Sequence, residues 1–266
     1  MDPNASGPWN DDIMKIATWN VNSLKVRLPQ VLDWLAAHKP DALCLQELKL
    51  EDKDFPEANL AGAGYRAVFN GQKTYNGVAI LTPHEPCDVV RDIPAFEDPQ
   101  KRIVAASIQG VRVICGYFPN GQAVGSDKFE YKLRWLAALT AWVRDELKLH
   151  QRLVLAGDFN IAPEDRDAHP EWSDEIHVSA PERAAFAGLT DLGLIDAFRL
   201  FEQPERSFSW WDYRMMAFRR NFGLRIDHLL VSAALRDACS ACTIDKMPRS
   251  LERPSDHAPV VLELRD

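Results

Sequence analysis

The chain has 266 residues, 46% of them hydrophobic, with a net charge of −8 and a pI near 5.4. That is enough apolar material for a substantial core in one large domain or two small ones, and nothing in the overall charge suits a sequence-blind coat for a polyanion. Acidity leaves phosphate chemistry open, because a local cationic patch or a metal ion acts on phosphates within an acidic protein.

The opening MDPNASGPWNDDI lacks both the basic head and the apolar middle of a signal peptide. Residues 1–13 therefore read as an extension expected to be disordered, and 14–266 as a single domain. Met14–Asn20 is a short apolar run expected to form a strand. Val31, Leu32, Leu35 and Ala36 share one face of a following helix, which Pro40 ends. Asp41–Gln46 is a second buried strand that leads straight into Glu47. Tyr65–Asn70 and Gly77–Thr82 come next as strands, and Arg102–Ile108 with Val111–Tyr117 flank Gln109-Gly110 as a hairpin.

Ser126–His150 carries the longest helical pattern, with Leu133, Leu136, Leu139, Val143 and Leu147 at helical spacing. Arg152–Ala156 is again a strand and runs into Gly157-Asp158-Phe159-Asn160. Pro163–Ser179 is a polar loop, Pro181–Leu192 a helix, and Phe208–Trp211, Leu224–Val231 and Pro259–Leu264 complete the strands. Strands outnumber helices and helices fall between strands, so the expected fold is α/β: a layered sandwich of two packed mixed or antiparallel sheets flanked by helices. No stretch approaches the ~20 apolar residues of a membrane span.

The five cysteines are scattered. Cys44 and Cys115 sit in apolar runs as buried thiols, which suits a reducing compartment and a cytoplasmic location. Cys239 and Cys242 form a C-x-x-C pair with no second pair at zinc-ligand spacing, so no structural zinc is expected there.

Costly polar residues fall beside the apolar strands. Asn20, Glu47, Tyr117, Asp158 and Asn160 come at the C-terminal ends of theirs, while Asp227 and Asp256-His257 adjoin others. Strand ends of a sandwich gather at the rim, where groups remote in sequence meet. Carboxylates that converge repel one another unless a cation sits among them, and hard oxygen ligands without a cysteine set favour Mg²⁺ or Mn²⁺. Each residue also has a plain structural reading. Glu47 suits a helix cap, Asp158 a turn, Asp227 a structural ion pair with an arginine, Tyr117 simple packing, and His257 a hydrogen-bonded core position. Their joint occurrence is what favours chemistry.

The segments ATWNVNSL, CLQELKL, YNGVAIL, GYFPNG, LAGDFNIAP, FSWWDYR, GLRIDHLLVS and PSDHAPV resemble, in order and over nearly the whole chain, the motif series of the exonuclease III family. These are DNA-repair nucleases of the endonuclease/exonuclease/phosphatase superfamily. The resemblance implies a Mg²⁺- or Mn²⁺-dependent phosphodiesterase acting on double-stranded DNA with abasic sites, nicks or recessed 3′ ends. It implies abasic endonuclease, 3′→5′ exonuclease or 3′-phosphatase activity, and no obligate protein partner. By match to the motifs, Glu47 is the main metal ligand with Asn20 beside it, and Asp158 positions and deprotonates the attacking water. Asn160 orients that water or a phosphate oxygen, His257 held by Asp227 hydrogen-bonds the scissile phosphate, and Tyr117 donates to it. Asp256 is a metal ligand or supports one, and Asp158, Asn160 and His257 complete the metal surroundings.

Substrate choice is expected from RMMAFRRNFGLR, Arg214–Arg225, which has four arginines and no acid among Met215, Met216, Phe218 and Phe222. It reads either as a solvated loop or as a DNA grip with an apolar wedge, in which Arg214, Arg219 and Arg220 meet phosphates. Lys73, Lys101, Arg102, Lys128 and Lys132 extend the basic strip. Trp210 and Leu224 match the positions that line the family's pocket for a flipped abasic sugar. One departure stands out. IHVSAPER puts His177 and Val178 where the family commonly has a small residue, and Ser179 where it has Phe. A His177 that faces the cleft biases the enzyme toward 3′-end work; a His177 that faces solvent changes nothing. The rival readings are a lipid or inositol-phosphate phosphohydrolase of the same superfamily and a catalytically silent DNA-binding scaffold.

Overall fold

The structure, a computed structural model, describes residues 13–265. The extension reading for residues 1–12 lies outside the described residues. Ile13, assigned to that extension from sequence, instead opens the first strand, opposite Arg265.

In chain order the strands are β1 Ile13–Asn20, β2 Ala42–Gln46, β3 Arg66–Asn70, β4 Val78–Thr82, β5 Cys87–Arg91, β6 Ile103–Ile108, β7 Val111–Tyr117, β8 Leu153–Asp158, β9 Leu194–Asp196, β10 Asp227–Ser232, β11 Cys239–Ile244 and β12 Val260–Arg265. The helices are α1 Leu24–His38, α2 Glu57–Gly62, α3 Asp127–Leu149, α4 Ala180–Thr190 and α5 Ala217–Arg220. They form two six-stranded sheets, ordered β11-β12-β1-β2-β4-β3 and β5-β6-β7-β8-β10-β9. Each sheet has one parallel pair at its centre, β1 with β2 and β7 with β8, and antiparallel neighbours elsewhere.

The layers follow from the side-chain pattern. Strands such as Ala42–Gln46 and Val78–Thr82 are buried at every position, so both of their faces need cover. Ile16, Cys44 and Ile80 meet Val113, Cys115 and Val154 between the sheets. The opposite faces pack on helices: Leu43 and Leu45 under Val31, Trp34 and Leu35 of α1, and Ile114 and Leu155 under Trp135, Leu139 and Val143 of α3. The result is the expected sandwich of two mixed sheets flanked by helices. Among the described residues no helix is long and apolar enough to cross a membrane.

Three short strands, β5, β9 and β11, are not legible in the sequence. β5 is mostly exposed at a sheet edge and β9 has three residues, so neither carries a period-2 signal. β11 holds Cys239 and Cys242 and lies at a sheet edge. Phe208–Trp211 and the first residues of Leu224–Val231, expected as strands, take part instead in isolated bridges, Trp210 with Leu224, Trp210 with His257 and Leu224 with Ala168. Gly223 lets the two segments approach closely: a Cβ there would collide with the Trp210 carbonyl and the Trp211 ring. Regular pairing begins at Asp227, opposite Asp158.

Candidate active site

The two parallel pairs bring their C-terminal ends to one rim. Asn20 ends β1, Glu47 follows β2, Tyr117 ends β7 and Asp158 ends β8. Gly157, with φ of 155°, fits because a Cβ at that position would strike the Gly116 carbonyl of the neighbouring strand. Glu47 and Asn160 both adopt left-handed backbone, with φ of 53° and 51°. Strain of this kind is held by surrounding structure and is concentrated at functional sites.

Asn20 is the tie between the sheets. Its Nδ2 donates to Glu47 Oε1 and to Asp158 Oδ2, each at 2.9 Å. The Tyr117 hydroxyl also donates to Glu47 Oε1, at 3.0 Å, and Lys49 Nζ lies 2.8 Å from the other Glu47 oxygen. Burial first, then the Glu47 and Asp158 carboxylates, hold the Tyr117 phenol protonated far above its ordinary range.

Asp227 opens β10 beside Asp158 and places its two oxygens 3.1 and 2.9 Å from His257 Nδ1, while Ser209 Oγ donates to it at 2.6 Å. That pairing turns His257 Nε2 toward Asp158 Oδ2, 3.7 Å away. Burial opposes charge on the imidazole, but Asp227 and Asp158 outweigh it and push its pKa up to about 10. Asp158 is pushed up to about 7, chiefly by burial; the His257 cation pulls it down, and Asp227 raises it further. The adjacency of Asp256 and His257 in SDHAP is thus not the functional pairing: the partner of the imidazole is Asp227, thirty residues away in the chain.

Asp256 is turned elsewhere. Its oxygens accept from Trp210 Nε1 at 3.0 Å and Asn22 Nδ2 at 2.9 Å. Burial alone would raise its pKa, but the His257 cation, the Trp210 indole and Asn22 hold it below the usual range. Asn160 donates from Nδ2 to the Phe118 carbonyl at 3.0 Å and to Asp158 at 3.3 Å, while its own amide nitrogen donates to Asp158 Oδ1 at 2.9 Å.

Glu47, Asp158 and His257 each offer a ligand atom within 4.8 Å of the others. Two carboxylates at that spacing fit a divalent cation, and their mutual repulsion gives a reason for one; the imidazole, charged and held by Asp227, stands beside them as a hydrogen-bond donor. Asp256 and Asn160 stand beside this cluster with their polar atoms engaged as above.

Behind the rim lies a network that sequence reasoning missed. Lys132, read as part of a surface basic strip, is 0% exposed. Its Nζ donates to Glu182 Oε1 at 2.5 Å, to the Asn160 carbonyl at 2.7 Å and to the Asn120 carbonyl at 3.2 Å. The signal is present: Lys132 lies three residues after Phe129 and four before Leu136, inside the buried stripe of α3. Glu182 also accepts from the His177 amide and from Ser179, whose capping box starts α4.

His177 does not face solvent, being 7% exposed, and its ring lies against Asn120 and Asn160 at the rim. Its Nδ1 donates to the Asn160 carbonyl at 2.7 Å, and its backbone is left-handed at φ of 74°. Burial and the nearby Lys132 charge push its pKa down to about 4, so the ring is neutral. It fills space under the turns of Asn120 and Asn160.

The expected DNA contacts divide. Lys73, Arg214, Arg219 and Arg220 are exposed, although Arg214 is tied to Asp212. Met215 and Met216 are 77% and 65% exposed on consecutive left-handed residues. Arg102 is buried instead, donating to the Tyr117 carbonyl at 3.1 Å and to Gln100 at 2.7 Å, because it is needed to hold the strand end. Leu224 is 0% exposed, so it does not line an open pocket; Trp172, Val178 and Trp210 cover it. Arg225 is also internal: it pairs with Asp167 and Asp196, and Arg199 pairs with the same Asp167.

Residues 17–257 match the Endonuclease/Exonuclease/phosphatase family. The chain is 37% identical to the exodeoxyribonuclease III of Haemophilus influenzae over 95% of this chain and 100% of that protein. Among solved structures, the 3′ phosphatase NExo from Neisseria, bound to a product DNA hairpin, is 53% identical with a TM-score of 0.93, covering 95% of this chain and 100% of that one. An AP endonuclease from Archaeoglobus fulgidus is 38% identical with a TM-score of 0.91, covering 95% of this chain and 99% of that one.

Proposed function

The chain belongs to the endonuclease/exonuclease/phosphatase family, and from that premise we propose a divalent-metal-dependent DNA-repair phosphodiesterase that works chiefly at 3′ ends of double-stranded DNA. Its main task is 3′-phosphate removal, with 3′→5′ trimming and incision at internal abasic sites subordinate. The observation that carries the phosphodiesterase reading is the convergence of Glu47, Asp158 and His257 within 4.8 Å, with Asp227 behind the imidazole, and the 3′-end preference is supported by the 53% identity to the Neisseria 3′ phosphatase.

Two hard carboxylate donors without a thiolate support Mg²⁺ or Mn²⁺, which, when bound, neutralises charge that builds on the phosphate oxygens. Glu47 would hold the cation, and Asn20 fixes Glu47 against Asp158. Asp158, near neutrality in pKa, accepts the proton of the attacking water, a task typically worth about 10²–10⁴-fold. His257 presents Nε2–H to a phosphate oxygen, because Asp227 occupies Nδ1. The Tyr117 hydroxyl is a second donor, and Asn160 orients the water. Asp256, held by Trp210 and Asn22, adds negative charge that favours the protonated His257.

Lys73, Arg214, Arg219 and Arg220 grip DNA phosphates, and Met215 and Met216 form the apolar wedge. His177 makes the floor beneath Asn120 and Asn160 bulky and so biases the site against an internal abasic sugar. The partners are duplexes with recessed 3′ ends, nicks or abasic sites. Free buried thiols at Cys44 and Cys115 support a cytoplasmic location.

The test uses end-labelled duplexes with a recessed 3′-phosphate or an internal abasic-site analogue, each with Mg²⁺ and with EDTA. Metal-dependent attack on the 3′-phosphate that exceeds abasic incision is expected, and His177→Gly should narrow the gap. Equal rates on both duplexes in the wild type would overturn the 3′-end preference.

A further inference from the structure

The polar loop between Pro163 and Ser179 is fastened along the segment that precedes β10. Asp167 takes two hydrogen bonds from the Arg225 guanidinium, and its carbonyl accepts from the Arg225 amide at 2.7 Å. Ala168 bridges Leu224, and the His169 amide donates to the Gly223 carbonyl at 3.0 Å. The His169 ring lies 4.5 Å from that of Phe222. These ties leave little freedom for the next residues, and the Trp172 amide donates back to the His169 carbonyl at 2.8 Å.

Trp172 is thereby laid against the aromatic flank of the rim. Its ring centroid is 6.0 Å from Trp210, edge-on, and 5.7 Å from Phe222. Beneath it are Leu224 and Ile226, with Val178 alongside. Trp210 is the direct link to the chemistry, since its indole donates to Asp256 and its ring is 6.5 Å from that of His257. Seen from His257, this apolar wall begins one ring beyond Trp210. Trp172 Nε1 is buried and has no hydrogen-bond partner. The ring is therefore held by packing and shape, not by its polar atom.

We propose that Trp172 is a specificity residue that fills the space beyond the scissile phosphate on the Trp210 side, and so favours a terminal 3′-phosphate over substrates with a sugar there. A 3′-phosphate monoester carries nothing past its phosphorus and needs no room. An internal abasic site carries a sugar and a continuing strand, which need the volume that Trp172 occupies. This rests on the 3′-end reading and sharpens it, because it orders substrates by the size of the group beyond the phosphate. His177 acts from another direction, under Asn160, so the two residues are separable.

The experiment compares wild type, Trp172→Ala, Trp172→Phe and His177→Gly on two duplexes, one with a recessed 3′-phosphate and one with an internal abasic-site analogue. Far-ultraviolet circular dichroism and thermal melting verify that each variant is folded. Trp172→Ala is expected to raise the ratio of abasic incision to phosphate release by roughly tenfold or more, a step typical of reshaping an apolar pocket. Trp172→Phe, which keeps the bulk and drops the unpaired N–H, should leave the ratio near wild type. A folded Trp172→Ala with the wild-type ratio overturns the assignment, and if His177→Gly raises it in the same assay the 3′-end reading itself survives. A Trp172→Phe that behaves like Trp172→Ala overturns the steric account. Wild type that cuts both duplexes equally overturns the reading and the assignment together.

Discussion

Asn20, Glu47, Tyr117 and Asp158 reach the cleft at the ends of central strands, or one residue past them, whereas Trp172, His177 and Trp210 reach it on segments with almost no regular pairing. The strand ends are locked by two parallel ladders and by the Asn20 tie. The loop wall is locked by side chains instead: Arg225 on Asp167, and Lys132 on Glu182. Ladders place atoms with little dependence on any one side chain, so they suit chemistry that tolerates little misplacement. Loops can be reshaped by single residues, so they suit selectivity. Substitutions at the rim should therefore abolish activity with little loss of fold, and substitutions in the wall should redirect activity or loosen the fold.

The largest effect is expected at the rim. Asp158→Asn should lower 3′-phosphate release by about 10²–10⁴-fold, the worth of a positioned base, while a melting curve shows no loss of stability. A concurrent fall in stability would mean that the rim is not independent of the core.

Next in size is the brace behind the wall. Lys132→Met leaves the Glu182 carboxylate buried without its counter-ion, which typically costs about 3–5 kcal/mol, read by denaturant unfolding. The double variant Lys132→Met with Glu182→Gln removes both charges and should recover much of that loss. Activity should stay low, because the Asn160 carbonyl has still lost a donor.

A pH dependence of stability sharpens the same contrast. His228 lies fully buried, with Nδ1 accepting from Arg225 Nη1 at 3.0 Å and Nε2–H donating to the Ile161 carbonyl at 2.9 Å. That geometry requires a neutral ring, and burial, with the Arg225 charge, pushes its pKa down to about 4. Its contribution to stability is therefore fully present above the ordinary 6.5 and is lost as pH falls through about 4. The full loss is about 3 kcal/mol at 1.36 kcal/mol for each tenfold change. Unfolding titrations between pH 7 and 4 should show this slope, and it should flatten in His228→Gln.

The smallest effect belongs to the exposed grip. Arg219→Ala should weaken DNA binding similarly on all sequences and reduce the slope of log affinity against log salt by about one. An unchanged slope would remove Arg219 from the phosphate contacts.

The two regions are also unequally legible. Polar residues at the mouths of apolar strands announce Asn20, Glu47, Tyr117 and Asp158, because so costly a placement needs a reason. The layered fold is readable from strands buried on both faces. The wall is opaque, since its residues gain their partners only in three dimensions. Arg225 reads as one more cation in a basic loop until Asp167 and Asp196 meet it. Lys132 reads as surface charge unless the stripe from Phe129 to Leu136 is followed through it. His177 stands out as a departure from the family pattern, but sequence offers only cleft or solvent as its surroundings. Trp172 gives no signal at all, being one aromatic in a polar loop.

The most direct test of the division between rim and wall is phosphate release from a recessed 3′-phosphate duplex, titrated with Mg²⁺ after EDTA treatment, in wild type and Asp158→Asn. The account predicts release in wild type only when the cation is restored, and near silence in Asp158→Asn at every concentration although the variant melts like wild type. Release that persists in EDTA, or an Asp158→Asn variant that matches wild type, would contradict it.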